Sequence, residues 1–140
     1  ADETSSGNIY IPQDYPTIQE GIDASADGDT VFVAAGTYYE NINFNGKNIS
    51  LIGEDRETTI IDGSNPSNTD NGSVIIFENG ENSTIIDGFT IANGWGTNYP
   101  NGPWGGGITV RNSDCTLNNL IIKDNISIGA LCWHWVRIVN

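Results

Sequence analysis

Two aspartates, Asp62 and Asp87, are the first candidates for chemistry in this sequence. Each precedes the glycine of the pentapeptide T-I-I-D-G, which occurs at residues 59–63 and again at residues 84–88, an offset of 25. If the two copies lie on neighbouring parallel strands, the carboxylates are about 5 Å apart. Carboxylates at that distance can share a proton, bind Ca²⁺ or act as a glycosidase pair. Asp62 and Asp87 are therefore a candidate metal site for Ca²⁺.

A structural role is the alternative for both aspartates. An Asp before a Gly commonly accepts hydrogen bonds from backbone amides in a bend. Residues 116–122 align with residues 85–91 at an offset of 31, and this alignment places Asn118 at the position of Asp87. Because Asn keeps the turn chemistry and carries no charge, the replacement favours the structural role.

The loop of residues 94–104 is the second candidate site. Its sequence, G-W-G-T-N-Y-P-N-G-P-W, contains Trp95, Tyr99 and Trp104 among glycines and prolines. Long loops in compact domains are often functional, and exposed aromatic clusters commonly mark a binding surface. These three side chains are therefore candidate ligand-binding residues. The alternative is that the loop folds back over the outer face of a sheet and buries its rings.

Nucleophilic catalysis is not indicated by the sequence. His134 is the only histidine and lies between Trp133 and Trp135, with no Ser, Cys or Asp pattern beside it. A catalytic triad needs such partners to activate its nucleophile. We therefore predict no catalytic residues.

Internal repetition predicts the fold class. The offset of 25 that relates the two pentapeptides also places Ile49 and Leu51 on Val74 and Ile76. Strand-like segments that recur together with such a period are typical of a solenoid, in which each repeat stacks on the one before it. We predict an all-β parallel β-helix, a single-stranded solenoid of about five coils.

Two rows of inward side chains follow from this alignment, with one residue from each coil. Buried parallel strands need such continuous apolar rows. The first predicted row is Val31, Ile49, Val74, Ile108 and Leu131. The second predicted row is Val33, Leu51, Ile76, Val110 and Trp133.

A short helix is predicted ahead of the first coil. Thr17 and Glu20 have the spacing of a capping box, and Pro16 precedes them. Ile18 and Ile22 then lie on one face of the helix. Because a solenoid exposes a strand edge and core at its first coil, we expect this apolar face to cover that end.

The composition limits the number of domains and the kinds of partner. A chain of 140 residues is long enough for one domain, which we place at residues 9–140 after a flexible leader of residues 1–8. The net charge of -13 argues against binding to nucleic acid or to an anionic membrane surface. The small polar start of the sequence is typical of a mature N-terminus, so we expect a secreted or extracellular protein. Cys115 and Cys132 do not fix the redox compartment.

Three motifs in the first half of the chain resemble a known superfamily. They are T-I-Q-x-x-I-D from residue 17, D-G-D-x-V-x-V from residue 27 and G-x-Y-x-E-x-I from residue 36. They are similar to the N-terminal part of right-handed parallel β-helix proteins of the pectin lyase-like superfamily, especially pectin methylesterases and related bacterial secreted proteins. The resemblance extends over about residues 9–125 and implies a right-handed coil. It also implies carbohydrate as the ligand of Trp95, Tyr99 and Trp104, whose rings can stack on sugar faces.

The motifs typical of the enzymes in this superfamily are absent. The Q-D-T-L and D-F-I-F-G segments of the esterases do not occur, nor do the W-I-D-H and R-x-P-x-x-R segments of pectate lyases. Arg137 begins a segment similar to the R-I-K of polygalacturonases, but the lysine is missing. We therefore predict a non-catalytic module that binds polysaccharide or has a structural role. The alternative is a truncated or remote pectin-active enzyme, whether an esterase, a lyase or a glycoside hydrolase.

The segment of residues 131–139 differs from the rest of the chain, because it is rich in bulky apolar residues and contains no Gly or Asn. The open last coil of a solenoid exposes its core and its strand edges. The segment can fold across its own open end, or it can pack against other copies of the chain. We predict the second arrangement, a homo-oligomer such as a trimer. Its predicted interface residues are Leu131, Trp133, Trp135, Val136 and Ile138.

Overall fold

The chain winds as a parallel β-helix, in which three sheets form the sides and each full coil adds one strand to every sheet. The computed structural model describes residues 7–100, 102–126, 130–132 and 136–139. Within a coil the chain passes from sheet A to sheet B and then to sheet C. It then returns to sheet A one strand further along.

Sheet A is the largest of the three, and all strands are numbered in chain order. Sheet A contains β1 (Asn8–Ile11), β2 (Thr30–Val33), β5 (Ser50–Gly53), β9 (Thr84–Asp87), β14 (Cys115–Asn118) and β17 (Val136–Val139). Sheet B contains β3 (Gly36–Tyr39), β6 (Thr59–Asp62), β10 (Thr90–Ala92) and β15 (Ile121–Lys123). Sheet C contains β4 (Ile42–Asn43), β8 (Ile75–Phe77), β13 (Ile108–Val110) and β16 (Ala130–Cys132). A small antiparallel sheet D contains β7 (Asn71–Gly72), β11 (Gly96–Tyr99) and β12 (Gly102–Trp104).

The helix α1 (Ile18–Ala24) closes the first coil, and the predicted cap is confirmed. Thr17 is its N-cap, and the Thr17 Oγ1 accepts a hydrogen bond from the Glu20 amide at 3.2 Å. Ile18 and Ile22 are fully buried and join the core of the solenoid. In the part of the chain that the structure describes, no helix is long and apolar enough to cross a membrane.

Two charged side chains hold the ends of α1 on the first coil. The Glu40 carboxylate accepts hydrogen bonds from the amides of Ile18, at 2.9 Å, and Gln19, at 3.0 Å. At the other end, Lys47 Nζ donates to the carbonyl oxygen of Ser25 at 2.6 Å and to two further carbonyl oxygens of the last turn. A carboxylate at the N-terminus and an ammonium at the C-terminus both complement the helix dipole.

The side chain of Gln19 forms hydrogen bonds with the backbone at the free edge of sheet C. Its Oε1 accepts from the Asn43 amide at 2.9 Å, and its Nε2 donates to the Asn43 carbonyl oxygen at 2.9 Å. These two bonds replace those of a neighbouring strand beside β4. The edge is therefore blocked against pairing with another chain.

The central row of core side chains lies in sheet A. Val31, Leu51, Ile86 and Leu117 lie side by side in adjacent coils, and none is more than 2% exposed. Full burial of such a side chain contributes about 1.5–3 kcal/mol. The stack is therefore stabilised along its whole length by one continuous apolar row.

The predicted rows are wrong in register. The observed pairs are Val31 with Leu51, Leu51 with Ile86, Ile108 with Ile75, Leu131 with Thr109 and Cys132 with Val110. The predicted partners Ile49 and Val74 are displaced from these pairs, and Trp133 lies outside the described residues. The reason is that 25 is not the coil length: residues 31, 51, 86 and 117 of the central row are separated by 20, 35 and 31 positions.

The two T-I-I-D-G segments lie in different sheets. The first forms β6 in sheet B, and the second forms β9 in sheet A. Both strands need an inward apolar residue before a bend, so one pentapeptide suits both places. The alignment at an offset of 31 is confirmed, because Thr116 pairs with Ile85 and Ile121 pairs with Thr90.

The first strand begins one residue earlier than the predicted domain boundary. Asn8 belongs to β1 and pairs with Thr30. The Gly7 amide donates to the Asp29 carboxylate at 2.7 Å. The other residues of the predicted leader, residues 1–6, lie outside the described residues.

Ile86→Asp is expected to prevent folding, whereas Ile85→Asp is expected to be tolerated. The two residues are adjacent in β9, but Ile86 is fully buried and Ile85 is 36% exposed. A carboxylate at position 86 has no partner in the apolar core, so we expect a cost of about 4 kcal/mol or more. Circular dichroism during heating compares the two variants. Cooperative unfolding of Ile86→Asp near the wild-type Tm would contradict the register of β9.

Candidate functional site

Asp62 and Asp87 lie on different sides of the solenoid. Asp62 ends β6 in sheet B, where it lies beside Ala92 of β10. Asp87 ends β9 in sheet A, where it lies beside Asn118 of β14. The prediction that the two carboxylates stack is therefore wrong, because the repeated pentapeptide occupies two sheets rather than adjacent strands of one.

Each aspartate accepts hydrogen bonds at the end of its strand. Asn93 Nδ2 and the Ser64 amide donate to the two carboxylate oxygens of Asp62, each at 2.9 Å. Asn118 Nδ2 donates to Asp87 Oδ2 at 3.0 Å. Burial raises the pKa of Asp62, but the hydrogen bonds from Ser64 and Asn93 outweigh it, so that the pKa lies below its usual value. These contacts favour the structural role for both residues.

Asp62 and Asp87 are not placed to bind one Ca²⁺ ion together. A Ca²⁺ ion needs about six to eight oxygen ligands around it, and carboxylates in separate sheets do not converge on one ion. In the part of the chain that the structure describes, no group of three or more His, Cys, Asp and Glu side chains is placed to hold a metal ion. The strand partners of the two aspartates carry no carboxylate either, so no glycosidase pair is formed there.

The aromatic loop forms a hairpin of β11 and β12 that covers the outer face of sheet C. The Thr97 hydroxyl lies 2.7 Å from Ser73 Oγ, which in turn lies 2.9 Å from Thr109 Oγ1. All three side chains are buried. Ile76 of β8 is also buried, although it alternates with inward residues of sheet C. The loop therefore folds back over a sheet, as in the alternative interpretation, but the Trp95 side chain is not buried and stays 47% exposed.

Two glycines let the hairpin approach the coil this closely. A Cβ atom added at Gly94 would lie 1.8 Å from the carbonyl oxygen of Gly106. A Cβ atom added at Gly72 would lie 2.8 Å from the carbonyl oxygen of Gly96. Side chains do not fit at such distances, so the close approach of the hairpin requires glycine at both positions.

Trp95 and Tyr99 lie at opposite ends of β11. Trp95 precedes the strand, its amide donates to the Gly72 carbonyl oxygen at 2.7 Å, and its side chain is 47% exposed. Tyr99 ends the strand, about 13 Å further along if four residues are extended. Trp104 pairs with Thr97 on β12. An extended strand thus separates the backbones of Trp95 and Tyr99.

Tyr99 contacts two charged side chains beyond the carboxyl end of sheet C. Its hydroxyl donates to Glu78 Oε2 at 3.0 Å. The Arg111 guanidinium lies 4.6 Å from the centre of the ring, a cation–π contact. Burial raises the pKa of Tyr99, and Glu78 raises it further, whereas Arg111 opposes the rise. Tyr99 therefore anchors the end of the hairpin on the coil.

A second aromatic group, which was not predicted, lies on the outer face of sheet A. Tyr10 and Phe32 pair across β1 and β2, and their rings stack with centres 5.4 Å apart and planes 14° apart. Tyr10 is 45% exposed. The sequence signal was the alternation in I-Y-I and V-F-V, which places the aromatic residue outward between two inward residues.

Three of the predicted interface residues lie in the last described strands. Leu131 lies in β16, and Val136 and Ile138 lie in β17, so these strands continue sheets C and A. Trp133 and Trp135 lie outside the described residues. The prediction of an interface made by this segment stays a prediction.

The end of sheet B next to this segment exposes apolar side chains. Ile122 pairs with Ile91 of the preceding coil. Ile91 is fully buried, whereas Ile122 is 37% exposed, and Ile126 after it is 64% exposed. The exposure of Ile122 at the end of a buried row shows that core surface is open there.

The coils, the capped first end and the aromatic outer surfaces define a parallel β-helix protein. No family model and no curated protein matches its sequence. Among solved structures, the fold is similar to that of pectin methylesterase PemA from Erwinia chrysanthemi, with a TM-score of 0.59 and 13% sequence identity. The match covers 96% of this chain and 46% of that chain, so this chain spans less than half of the matched protein. The right-handed parallel β-helix that the superfamily resemblance implied is confirmed at the level of the fold.

Asn93→Gly is expected to raise the pKa of Asp62, because it removes the Nδ2 donor. Asn93 has a φ of 61°, which Gly adopts freely, so the turn is kept. A carboxyl group whose pKa is lowered in the folded state contributes stability above its unfolded pKa. That contribution is lost as the pH falls through the folded pKa. The decrease in Tm caused by the substitution should therefore be larger at pH 7 than at about pH 2.

Thermal unfolding at both pH values, with an NMR titration of Asp62, measures this effect. Asn119→Gly is the matched control, since Asn119 also has a positive φ, of 50°, and is exposed. A decrease in Tm that is equal at both pH values for Asn93→Gly would show that the bond to Asp62 does not stabilise the carboxylate.

Proposed function

We propose that this protein is a non-catalytic, extracellular β-helix module that binds polysaccharide and associates with further copies through its C-terminal end. The position of Trp95 carries the binding proposal. Its side chain is 47% exposed on a hairpin that packs against the stack. An aromatic ring on a fixed backbone loses little conformational entropy when a ligand binds, so it suits stacking on a sugar.

Exposed amide side chains on the small sheet D can add polar contacts to a polysaccharide that stacks on Trp95. Asn71 of β7 and Asn98 of β11 are exposed on the same small sheet. Asn98 Nδ2 donates to Asp70 Oδ1 at 3.0 Å, which fixes the position of its amide group. Amide groups can both donate to and accept from hydroxyl groups. An aromatic ring on the hairpin and amide groups on sheet D can contact both the apolar and the polar parts of a polysaccharide.

The charge of the chain limits the kind of polysaccharide. A net charge of -13 repels a polyanion such as an unesterified polyuronate. The matched solved structure is a pectin methylesterase. In methyl-esterified pectin, the carboxyl groups that carry a methyl ester are uncharged. We therefore infer that the ligand is a neutral or highly methyl-esterified polysaccharide.

A pectin-active enzyme, whether an esterase, a lyase or a glycoside hydrolase, is the second candidate. The similarity of fold to pectin methylesterase favours it. The missing esterase motifs and the separation of Asp62 from Asp87 favour the non-catalytic proposal. Methanol release from esterified pectin measures the esterase activity, the absorbance of unsaturated uronides measures the lyase activity, and the release of reducing ends measures hydrolysis.

The proposal of self-association is supported by the open end of sheet B. Ile122 and Ile126 are exposed, and they precede the apolar segment of residues 131–139 in the sequence. A second copy of the chain can cover both the side chains and the strand edges at that end. A closed homo-oligomer, such as the trimer we propose, would bury this surface without leaving a further copy of it free.

Trp95→Ala is expected to weaken binding to highly methyl-esterified pectin by about tenfold, the loss of one stacking contact of about 1.4 kcal/mol. Affinity gel electrophoresis with the polymer in the gel measures this. Tyr39→Ala is the matched control, since Tyr39 is 69% exposed but lies in sheet B. Retardation of Trp95→Ala equal to that of the wild type would remove Trp95 from the proposed site.

Light scattering at micromolar concentration is expected to give a mass that is a multiple of 15.1 kDa. Ile122→Ser combined with Ile126→Ser should reduce it to the monomer mass, because apolar surface at the open end is lost. Ile85→Ser, at a position that is 36% exposed in sheet A, is the control and should leave the mass unchanged. A monomeric wild-type protein would contradict the proposed association.

A further inference from the structure

The outer face of sheet A has a cleft that the site at Trp95 does not include. It lies where β1, β2 and β5 end, and its wall and floor come from those strand ends and the residues that follow them. The side chains of interest among its lining residues are Tyr10, Pro12, Gln13, Phe32, Ile52 and Glu54.

One wall of the cleft is apolar over three coils. Tyr10 stacks on Phe32, and Phe32 pairs with Ile52 of the next coil. Two strand spacings separate the first and last of these residues, about 10 Å. Tyr10 is 45% exposed, and Phe32 and Ile52 are half-buried. A wall of this length can contact more than one ring of an extended ligand.

The row continues into polar side chains. Ile52 pairs with Asp87, and Asp87 pairs with Asn118. Asn118 Nδ2 donates to Asp87 Oδ2 at 3.0 Å, so the two groups have fixed positions. A ligand that extends along the row from Tyr10 would therefore meet hydrogen-bonding groups after the apolar wall.

The rim of the cleft carries an oriented carboxylate. Glu54 Oε2 accepts from the Ala35 amide at 2.7 Å, so this side chain is held at the edge of the cleft. Gln13, on the same rim, is exposed and can donate and accept hydrogen bonds. The rim therefore offers both acceptors and donors to a ligand that lies against the wall.

Charge excludes several classes of ligand from the cleft. None of its lining residues is basic, and Glu54 is acidic, so carboxylates, phosphates and polyuronates are repelled. A wholly apolar partner would cover Glu54 without supplying hydrogen bonds, and covering a charge in that way is costly. Among uncharged ligands, the one that fits has an apolar face for the wall and hydroxyl groups for Glu54 and Gln13. A pyranose ring has this combination.

We propose that the cleft binds neutral pyranose units of a glycan chain that lies across the coils, along the row from Tyr10 to Ile52. The site is distinct from Trp95, which lies on the hairpin over sheet C. The inference deepens the proposed function and rests on it in one respect, the polysaccharide nature of the ligand. Two sites on one rigid stack would raise the apparent affinity for a polymer above that for an oligosaccharide.

Isothermal titration calorimetry with cellohexaose, mannohexaose and xylohexaose tests the proposal, with hexagalacturonate as the anionic comparison. At least one neutral hexasaccharide should bind, and hexagalacturonate should bind more weakly. Tyr10→Ser should raise the Kd by about tenfold. Tyr15→Ser is the matched control, because Tyr15 is 37% exposed and does not line the cleft. Gln13→Ala, at an exposed rim position, is a second variant that leaves the aromatic wall intact and should also weaken binding.

Three outcomes would overturn the proposal. They are no binding of any neutral hexasaccharide, tighter binding of hexagalacturonate, and binding that neither Tyr10→Ser nor Gln13→Ala weakens. A fall in the mass measured by light scattering for Tyr10→Ser would also overturn it, because a second copy of the chain would then occupy the cleft.

The same variants separate this site from the one at Trp95. In one outcome, Trp95→Ala loses affinity for esterified pectin and Tyr10→Ser binds hexasaccharides as the wild type does. Glycan binding in the cleft is then contradicted, and the proposed function stands. If Tyr10→Ser loses hexasaccharide binding and Trp95→Ala keeps pectin binding, the cleft stands and Trp95 is not the polymer site.

Discussion

The hydrogen bonds that Glu40 and Lys47 make with the two ends of α1 close the open end of the solenoid. A helix of seven residues is not stable alone in water, so its position depends on the first coil. The helix α1 also covers the core beside Val31, and its Gln19 side chain blocks the edge of sheet C. Every later coil stacks on this first one. The outer surfaces that carry the proposed binding sites therefore depend on it.

Polar groups in the turns help to hold the coils in register. The buried Glu81 accepts from the Gly46 amide of the preceding coil at 2.9 Å and from Ser113 Oγ of the following coil at 2.6 Å. One side chain thus connects three coils. A buried carboxylate is stable only with such partners, so its bonds also oppose a shift of one coil against the next. The same rigidity keeps Trp95 and the cleft of sheet A in fixed positions.

The strands and the cap could be predicted from the sequence, whereas the register could not. Alternation in short segments and the capping box at Thr17 are local signals, and the structure confirms both. The turns from sheet B to sheet C differ in length between coils, so no single offset gives the stacking. The identical pentapeptides that contain Asp62 and Asp87 suggested a false register because they lie in different sheets.

The register also determines which residues of the candidate sites lie close together. Trp95 and Tyr99 are close in sequence, but an extended strand separates them. Tyr10 and Phe32 are distant in sequence and lie side by side only because β1 pairs with β2. The bonds of Glu40 and Lys47 to α1 span more than twenty residues, and no local pattern predicts such contacts.

Hydrogen exchange measured by NMR tests most directly whether the stack depends on its capped end. In Glu40→Gln, the amides of α1, β1 and β2 should exchange about tenfold faster than in the wild type, the effect of losing about 1.4 kcal/mol of charged hydrogen bonding. Glu57→Gln, at an exposed position in a bend, is the control and should leave these rates unchanged. If the two variants exchange at the same rates, the bonds between Glu40 and α1 do not hold the first coil.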